Sequence, residues 1–345
     1  MGSADSDRNS ADADALPPRD SVSYEVLRFS TDNFPEHRRI EAYREIYSRI
    51  IIKHEIEPIG DQPFHFDASL CDLPGLGLAV SRFSPCVRSH GLQHGDSEHL
   101  VLGIGRSGSC VVQQHGREAL IGRGEAVLTS SADPAAVTIA SISESVSLRV
   151  PKSVLRSRIG DLDARVSRTI PRDTEGLLLL TGYVGAIRGA QTLTDPQMCE
   201  LVVAHVYDLV ALVLGAKGDA RKLAQEGGGR AARRSAIFSA IESRSGNPAL
   251  SAAAVAALLG VTPRYIHLLL EETGRSFTHH LLEKRLENAA ALLRDPRWYA
   301  RRIGDVALEA GFTDLSHFSR AFRRRYGATP SDVREVAVRD REKRD

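Results

Sequence analysis

Short apolar runs separated by Gly, Pro, Asp and Ser fill residues 55–150 and set that part of the chain apart. The runs fall at 64–71, 77–83, 99–105, 109–114, 118–121, 126–129, 137–140 and 146–150. Several short strands at such close spacing predict an all-β sandwich or barrel. His115-Gly116-Arg117, Gly122-Arg123-Gly124-Glu125 and Ala132-Asp133-Pro134 mark its turns. On either side the period becomes helical. Residues 24–30 open the ordered part, and 34–52 follow as a helix with Pro35 at its start and Ile40, Tyr43, Ile46, Tyr47 and Ile50 at helical steps. Beyond the β-rich part, helices are predicted at 151–159, 175–187 and 197–214. The last carries Leu201, His205, Leu209 and Leu212 or Val213 on one face. The stretch 216–230, AKGDARKLAQEGGGR, is charged and Gly-rich and reads as a linker.

The final third, 231–337, is helical with repeated punctuation. A helix at 231–244 is broken by Gly246-Asn247-Pro248, and Ser251 caps a short Ala-rich helix that ends at Leu259-Gly260. Thr262 caps the next helix, with Pro263 in its first turn. Ile266, Leu269 and Leu270 point inward by spacing, leaving Arg264, His267, Leu268 and Glu271 outward. A long helix follows at 277–293, with Leu281, Arg285, Ala289 and Leu292 marking one face, and Asp295-Pro296 ends it. After a helix at 303–310, Gly311 supplies a positive φ for a tight turn, and Thr313 or Asp314 caps what comes next. Residues 315–326 then carry Phe318, Ala321, Phe322 and Arg325 or Tyr326 on one side, with Ser316, Ser319, Arg320 and Arg323 on the other. Gly327 stops this helix and Pro330 opens another. A cationic helix with an apolar seam suits a DNA major groove. Periodicity alone also allows a solvated surface face.

Residues 311–330, GFTDLSHFSRAFRRRYGATP, resemble the second helix-turn-helix of the AraC/XylS family of transcription regulators. The resemblance rests on Gly311-Phe312, on His317-Phe318-Ser319-Arg320-Ala321-Phe322 and on Gly327-Ala328-Thr329-Pro330. It implies a monomeric tandem of two helix-turn-helix units. Arg264 and Leu315 occupy equivalent offsets 51 residues apart. Two recognition helices held about one DNA turn apart, roughly 34 Å, enter successive major grooves on one face of double-stranded promoter DNA. By this resemblance the base-contact candidates are Arg264, His267 and Leu268 in the first unit and Leu315, Ser316, Ser319 and Arg320 in the second. Arg320 suits bidentate pairing with guanine, and Leu268 or Leu315 suits a thymine methyl. Arg301, Arg302, Arg323 and Arg324 are the phosphate candidates. The first unit departs from the family at Leu268, where a basic residue is common, and at Leu270, where Phe is common.

Residues 34–190 are similar to the β-barrel sensor domain of such regulators, in the order helix, β-rich barrel, helices and in the stretch GREALIGRGEAVLTSSADP. The implied fold is α+β, with an N-terminal cupin-like β-barrel flanked by helices and a C-terminal all-α tandem helix-turn-helix domain. The expected division is a disordered tail at 1–20, a sensor and dimerisation domain at 21–215, a linker at 216–230, a DNA-binding domain at 231–337 and a charged tail at 338–345. The family implies an activator that recruits RNA polymerase, answers a small-molecule effector and can form a homodimer.

Composition fits that division. Hydrophobic content of 42% and charged content of 26% place the chain among soluble globular proteins, and 345 residues suffice for two cores. The net charge of +1 hides a partition. Residues 230–345 hold 21 Lys/Arg against 14 Asp/Glu, while the rest hold 24 against 30. A basic module joined to an acidic one is expected when only the first meets phosphates. Cys71, Cys86, Cys110 and Cys199 are isolated, which offers no zinc motif or disulfide framework and suits a cytoplasmic setting. The apolar stretch 199–216 contains Glu200, His205 and Asp208, so it reads as a buried or dimer-forming helix and not a membrane span.

Two other readings compete with this one. A cupin-type metalloenzyme would use the histidines of the barrel, but His90, His94, Glu98, His99 and His115 lack the His-x-His spacing of such sites. A DNA-repair protein fused to this DNA-binding module would need clustered zinc-bound cysteines, which Cys71 and Cys86 do not provide. No catalytic residue, metal or cofactor is therefore expected.

Overall fold

The alternation in the first half folds into strands, each of the eight expected runs contributing one. The computed structural model describes residues 24–91, 99–189, 192–193 and 195–342. The chain divides into two compact units, Met1–Arg172 with Arg188–Ala204, and Asp173–Ile187 with His205–Asp345. The expected disordered tail at 1–20 lies outside the described residues.

In the first unit the strands are β1 (Tyr24–Glu25), β2 (Leu27–Ser30), β3 (Glu55–Pro58), β4 (Phe66–Leu73), β5 (Leu76–Phe83), β6 (Cys86–His90), β7 (His99–Ser107), β8 (Cys110–Gln114), β9 (Arg117–Ile121), β10 (Ala126–Ser130), β11 (Ala135–Ile139), β12 (Ser143–Pro151), β13 (Thr169–Ile170) and β14 (Thr192–Leu193). They form two antiparallel main sheets, ordered β13-β10-β7-β12-β5-β4-β2 and β3-β6-β11-β8-β9, while β1 pairs with β14. The expected barrel thus takes the form of two sheets that do not close on each other. Strands β4 and β6 bury alternate residues, as a half-covered sheet requires, whereas β5 is buried along most of its length. Helix α1 (Arg39–Ile50) covers one end of the core with Tyr43 and Tyr47, whose rings meet Phe66 at 4.8 and 5.7 Å. The predicted helix began at 34, but two 3₁₀ turns, Thr31–Asn33 and Glu36–Arg38, precede α1. Pro35 caps the second of these turns. Helix α2 (Lys152–Arg156) follows β12 and is shorter than the 151–159 expected.

The second unit is helical. Helices α3 (Glu175–Gly189) and α4 (Pro196–Val213), whose residues 188–189 and 196–204 belong to the first unit, lead into α5 (Gly218–Ala224), a π-helical turn at Gln225–Gly229, and α6 (Arg230–Arg244). Two sequence expectations are corrected here. The stretch 216–230 is helical from Gly218, because its glycines serve close approach and not flexibility. A Cβ on Gly228 would sit 2.3 Å from the His205 carbonyl oxygen, and the Gly228 N–H donates to Asp208 Oδ2 at 3.2 Å. Leu201 is exposed although Leu209, grouped with it on one face, is buried, and α4 buries Val202, Val203, Val206 and Val210 beside Leu209. That burial accounts for a helix apolar and long enough, by composition, to cross a bilayer.

Helices α7 (Ala252–Leu259), α8 (Pro263–Glu271), α9 (Phe277–Arg294), α10 (Ile303–Glu309), α11 (Leu315–Tyr326) and α12 (Pro330–Glu342) complete the unit. The charged tail expected from 338 continues α12 as far as Glu342. Two hydrophobic clusters share α9. One gathers Ile237, Val255, Ile266, Leu269 and Leu270 around Phe277 and Leu281. The other gathers Val306, Phe312, Phe318 and Phe322 around Leu286, Ala289 and Leu293.

Between the clusters, Arg285 of α9 donates to the carbonyls of Ser245 (3.0 Å), Asn247 (2.9 Å) and Pro248 (3.3 Å), and Asn288 donates to Ser245 Oγ at 2.9 Å. These bonds satisfy carbonyls left open where α6 ends. Gly311, at φ 94°, closes the junction, for a Cβ there would lie 2.3 Å from Ser245 O and 2.8 Å from Arg285 Nε. Arg285→Met is expected to destabilise the protein by about 1.5–3 kcal/mol, the range for hydrogen bonds made by a charged group. Gly311→Ala should cost about 1–3 kcal/mol through backbone strain alone. Urea unfolding of both variants checks this, and unchanged midpoints would remove the junction from the account.

Candidate functional site

Two capped helices present the residues singled out by sequence. Thr262 Oγ1 accepts the Tyr265 N–H at 3.2 Å and starts α8 with Pro263 in its first turn. Ile266, Leu269 and Leu270 are buried, so Arg264, His267 and Leu268 are left on the exposed side. In α11, Asp314 is the cap, its Oδ1 accepting the His317 N–H at 2.9 Å, and Gly327 ends the helix in the left-handed region. Phe318, Ala321 and Phe322 are buried, Leu315, Ser316 and Arg320 are exposed, and Ser319 is half-buried. Both helices therefore turn an apolar seam inward and carry the candidate side chains on the opposite side. Leu268 and Leu315, at 42% and 50% exposure, are apolar side chains that the protein core does not use.

The arginines of this unit divide into two groups. Arg325 binds Glu283 Oε2 at 2.7 Å, Arg230 and Arg234 hold Glu272 at 2.8 and 2.6 Å, and Arg334 donates to Arg301 O at 2.7 Å. These act as scaffold. Arg264, Arg301, Arg302, Arg320, Arg323 and Arg324 are exposed, and none of their side chains forms an ion pair with a described Asp or Glu. An exposed guanidinium with no internal carboxylate partner keeps its full charge for an outside anion.

Electrostatics at the start of α11 follow the same geometry. The Asp314 carboxyl is held below the usual carboxylate range, first by the His317 N–H it accepts, then by the Ser316 N–H and the Arg320 and His317 charges. The anionic cap also complements the positive end of the helix dipole.

A second candidate site lies in the first unit. A cavity of about 80 Å³ opens between the two sheets, its walls including Val101 and Gly103 on β7 and Arg88, Val112 and Val137 on the facing sheet. His90 lines it, with Nε2 3.3 Å from Ser130 O, while His115 pairs with Asp133 at 2.9 Å. His99 opens β7, and His94 and Glu98 lie outside the described residues. Among the described residues no group of three or more His, Cys, Asp or Glu is placed to hold a metal ion. Sequence reasoning missed two cavity residues, Arg88 and His54. The alternation Cys86, Arg88, His90 was the available signal, obscured because those positions are not aliphatic.

Comparison with known proteins decides the family. A model described as AraC-binding-like domain matches residues 43–215, half of the chain, and one described as helix-turn-helix domain matches residues 255–335. The chain belongs to the AraC family. Its relatives include the transcriptional activator RhrA of Rhizobium meliloti (strain 1021), 30% identical over 195 residues that cover 55% of this chain and 58% of that protein. The HTH-type transcriptional activator RhaR of Yersinia pseudotuberculosis serotype O:1b (strain IP 31758) is 40% identical over 72 residues, 21% of this chain and 24% of the relative. The matched region thus spans little more than half of the first relative and about a quarter of the second. Among solved structures, the AraC-like transcriptional activator CuxR matches at 18% identity and a TM-score of 0.47, covering 82% of this chain and all of that one.

In this AraC-family chain the Asp314 cap gives a pH test. A carboxyl whose native pKa is depressed adds stability that is present above its unfolded value, about 3.9, and is lost as pH falls through the lower native value. Asp314→Asn keeps a capping oxygen without the charge, so its stability should fall less than that of the wild type between about pH 4 and pH 2. Thermal melts across that range measure the difference. Parallel pH profiles would show that the charge at Asp314 contributes nothing.

Proposed function

We propose that the protein is a sequence-specific DNA-binding transcription regulator whose β-rich unit senses a small-molecule effector. Residues 21–215 act as the sensor, 216–230 as the connection and 231–337 as the DNA reader. The observation that carries this reading is the pairing of two capped helices, α8 and α11, each with its candidate side chains on the side away from its buried seam, around one shared helix α9. The exposed, unpaired arginines give it electrostatic support, and the relatives named as activators favour activation. In this reading Arg264, His267, Leu268, Leu315, Ser316, Ser319 and Arg320 meet base edges, while Arg301, Arg302, Arg323 and Arg324 meet phosphates. The second unit is the stronger polar reader, because Leu268 offers only an apolar contact. The β-rich unit also carries homodimerisation, RNA polymerase is the downstream partner, the protein works in the cytoplasm, and neither half performs catalysis.

Selection of binding sites from randomised duplex DNA with the full chain, followed by affinity measurements across a salt series, tests this reading. Binding should weaken steeply with salt in proportion to the phosphates neutralised. Arg320→Ala should cost about 1–3 kcal/mol on the selected site and relax one base position, whereas Arg323→Ala should weaken all sequences alike and reduce the salt slope by about one. Failure to enrich any sequence, or a salt-independent interaction, would defeat the assignment.

A further inference from the structure

We propose that the cavity between the two sheets is an anion site, in which Arg88 holds the carboxylate of a small acid with an apolar body. The inference rests on the effector reading of the β-rich unit and specifies the chemistry of the effector.

Strand β6 carries an unusual inner face. Its inward positions are Cys86, Arg88 and His90, where a strand facing a core would carry aliphatic residues. Arg88 is only 9% exposed, and arginines buried to that degree are normally paired. Here Arg88 forms no ion pair with a described Asp or Glu, and its Nε has no hydrogen-bond partner. Its guanidinium carbon sits 4.3 Å from the Phe83 ring centre, a contact that favours a cation without neutralising it.

The polar neighbours do not supply the missing charge. They are the phenols of Tyr43 and Tyr47 and the thiols of Cys86 and Cys110. Burial pushes the Cys86 thiol up to about 11 and raises Cys110 and Tyr43 as well, so these groups are neutral at physiological pH. His54 is kept neutral by burial first, and then by the charges of Arg88 and His90. A guanidinium does not lose its proton in proteins. Glu144 also lines the cavity but forms no ion pair with Arg88, so Arg88 is a buried cation with no carboxylate in ion-pair reach among the described residues, an arrangement that costs free energy until an anion arrives.

The cavity defines the rest of the ligand. Val101, Val112, Val127, Val137 and Ile139 supply the apolar part of the lining, with serine and threonine hydroxyls between them. A dry apolar cavity of about 150 Å³ accepts benzene, so about 80 Å³ admits only a few heavy atoms without rearrangement. A planar guanidinium matches a planar carboxylate bidentately and balances one negative charge. A phosphate dianion would bring a second charge into the same cavity.

The test uses the full chain without DNA, so its outcome is independent of the DNA-binding reading. Propionate, butyrate and isobutyrate are titrated against propionamide, butyramide, isobutyramide and inorganic phosphate, with thermal shift and calorimetry as readouts. A ligand that binds only the folded state must raise its melting temperature. The acids are expected to give saturable shifts and to bind at least tenfold more tightly than the matched amides, with no response to phosphate. Arg88→Met should lose at least tenfold in acid affinity, while its own unliganded melting temperature is no lower than that of wild type, since it removes a buried unpaired charge. Equal binding of acid and amide overturns the anion assignment and leaves the effector reading standing. Preference for phosphate, absence of any response, or undiminished acid binding by Arg88→Met overturns it too. The acid–amide comparison on the wild type decides the matter even if the variant fails to fold.

Discussion

Helix α9 is the constraint on which the reading half of the protein depends. Its first turns supply Phe277 and Leu281 to one hydrophobic cluster, and its later turns supply Leu286, Ala289 and Leu293 to the other. A continuous α-helix advances about 1.5 Å per residue and bends little without a specific cause. Two small cores built on one such rod cannot drift apart or rotate freely. Arg285 and Asn288 strengthen the arrangement at mid-helix by tying the end of α6 to α9, beside the Gly311 turn that leads into α11. Spacing between the proposed recognition helices is thus a property of the fold and does not have to be created by DNA.

The β-rich unit follows a different logic. Its sheets bury aliphatic and aromatic residues together with small or amide side chains such as Ser81, Ser147 and Gln114, and Tyr43 and Tyr47 of α1 make a dense ring cluster with Phe66 and Phe83. Against that background the polar inner face of β6 is a local conflict between pattern and fold. Such conflicts concentrate where function has overridden packing. The cluster around Arg88 offers aromatic contact and neutral hydrogen-bonding groups but no compensating charge.

Legibility in the sequence followed the range of the interactions. Ser251, Thr262, Asp314, Gly260 and Gly327 were readable because a cap acts within one turn and needs no knowledge of the rest of the chain. The eight aliphatic strands were readable for the same reason. Strand β6 was not, because alternation of Cys, Arg and His does not register as an apolar period until the facing sheet is known. The Gly-rich stretch after Lys217 misled in the opposite direction. Glycine signals flexibility locally, yet Gly228 is required where the chain passes the His205 carbonyl, a neighbour 23 residues away in sequence. Leu201 was grouped on one face with Leu209 because several phases of an apolar helix look alike, and packing buries the one through Val202, Val206 and Leu209.

The arginines show why a charge count is not a site. Composition concentrates positive charge after residue 230 but treats Arg285 and Arg320 as equivalent. Their environments separate them. Arg285 is partly buried and holds three carbonyls, so its charge maintains the junction between two cores. Arg320 lies on the exposed side of α11, opposite Phe318 and Phe322, with no carboxylate ion pair among the described residues. Removing the first perturbs folding before it perturbs any encounter with DNA, whereas removing the second changes the surface and leaves the core intact. Arg88 is a third kind, a charge buried where neither scaffold nor solvent balances it. One residue type therefore serves as brace, as proposed reader and as proposed ligand anchor, and the choice among these roles is set by what each guanidinium finds within hydrogen-bonding reach.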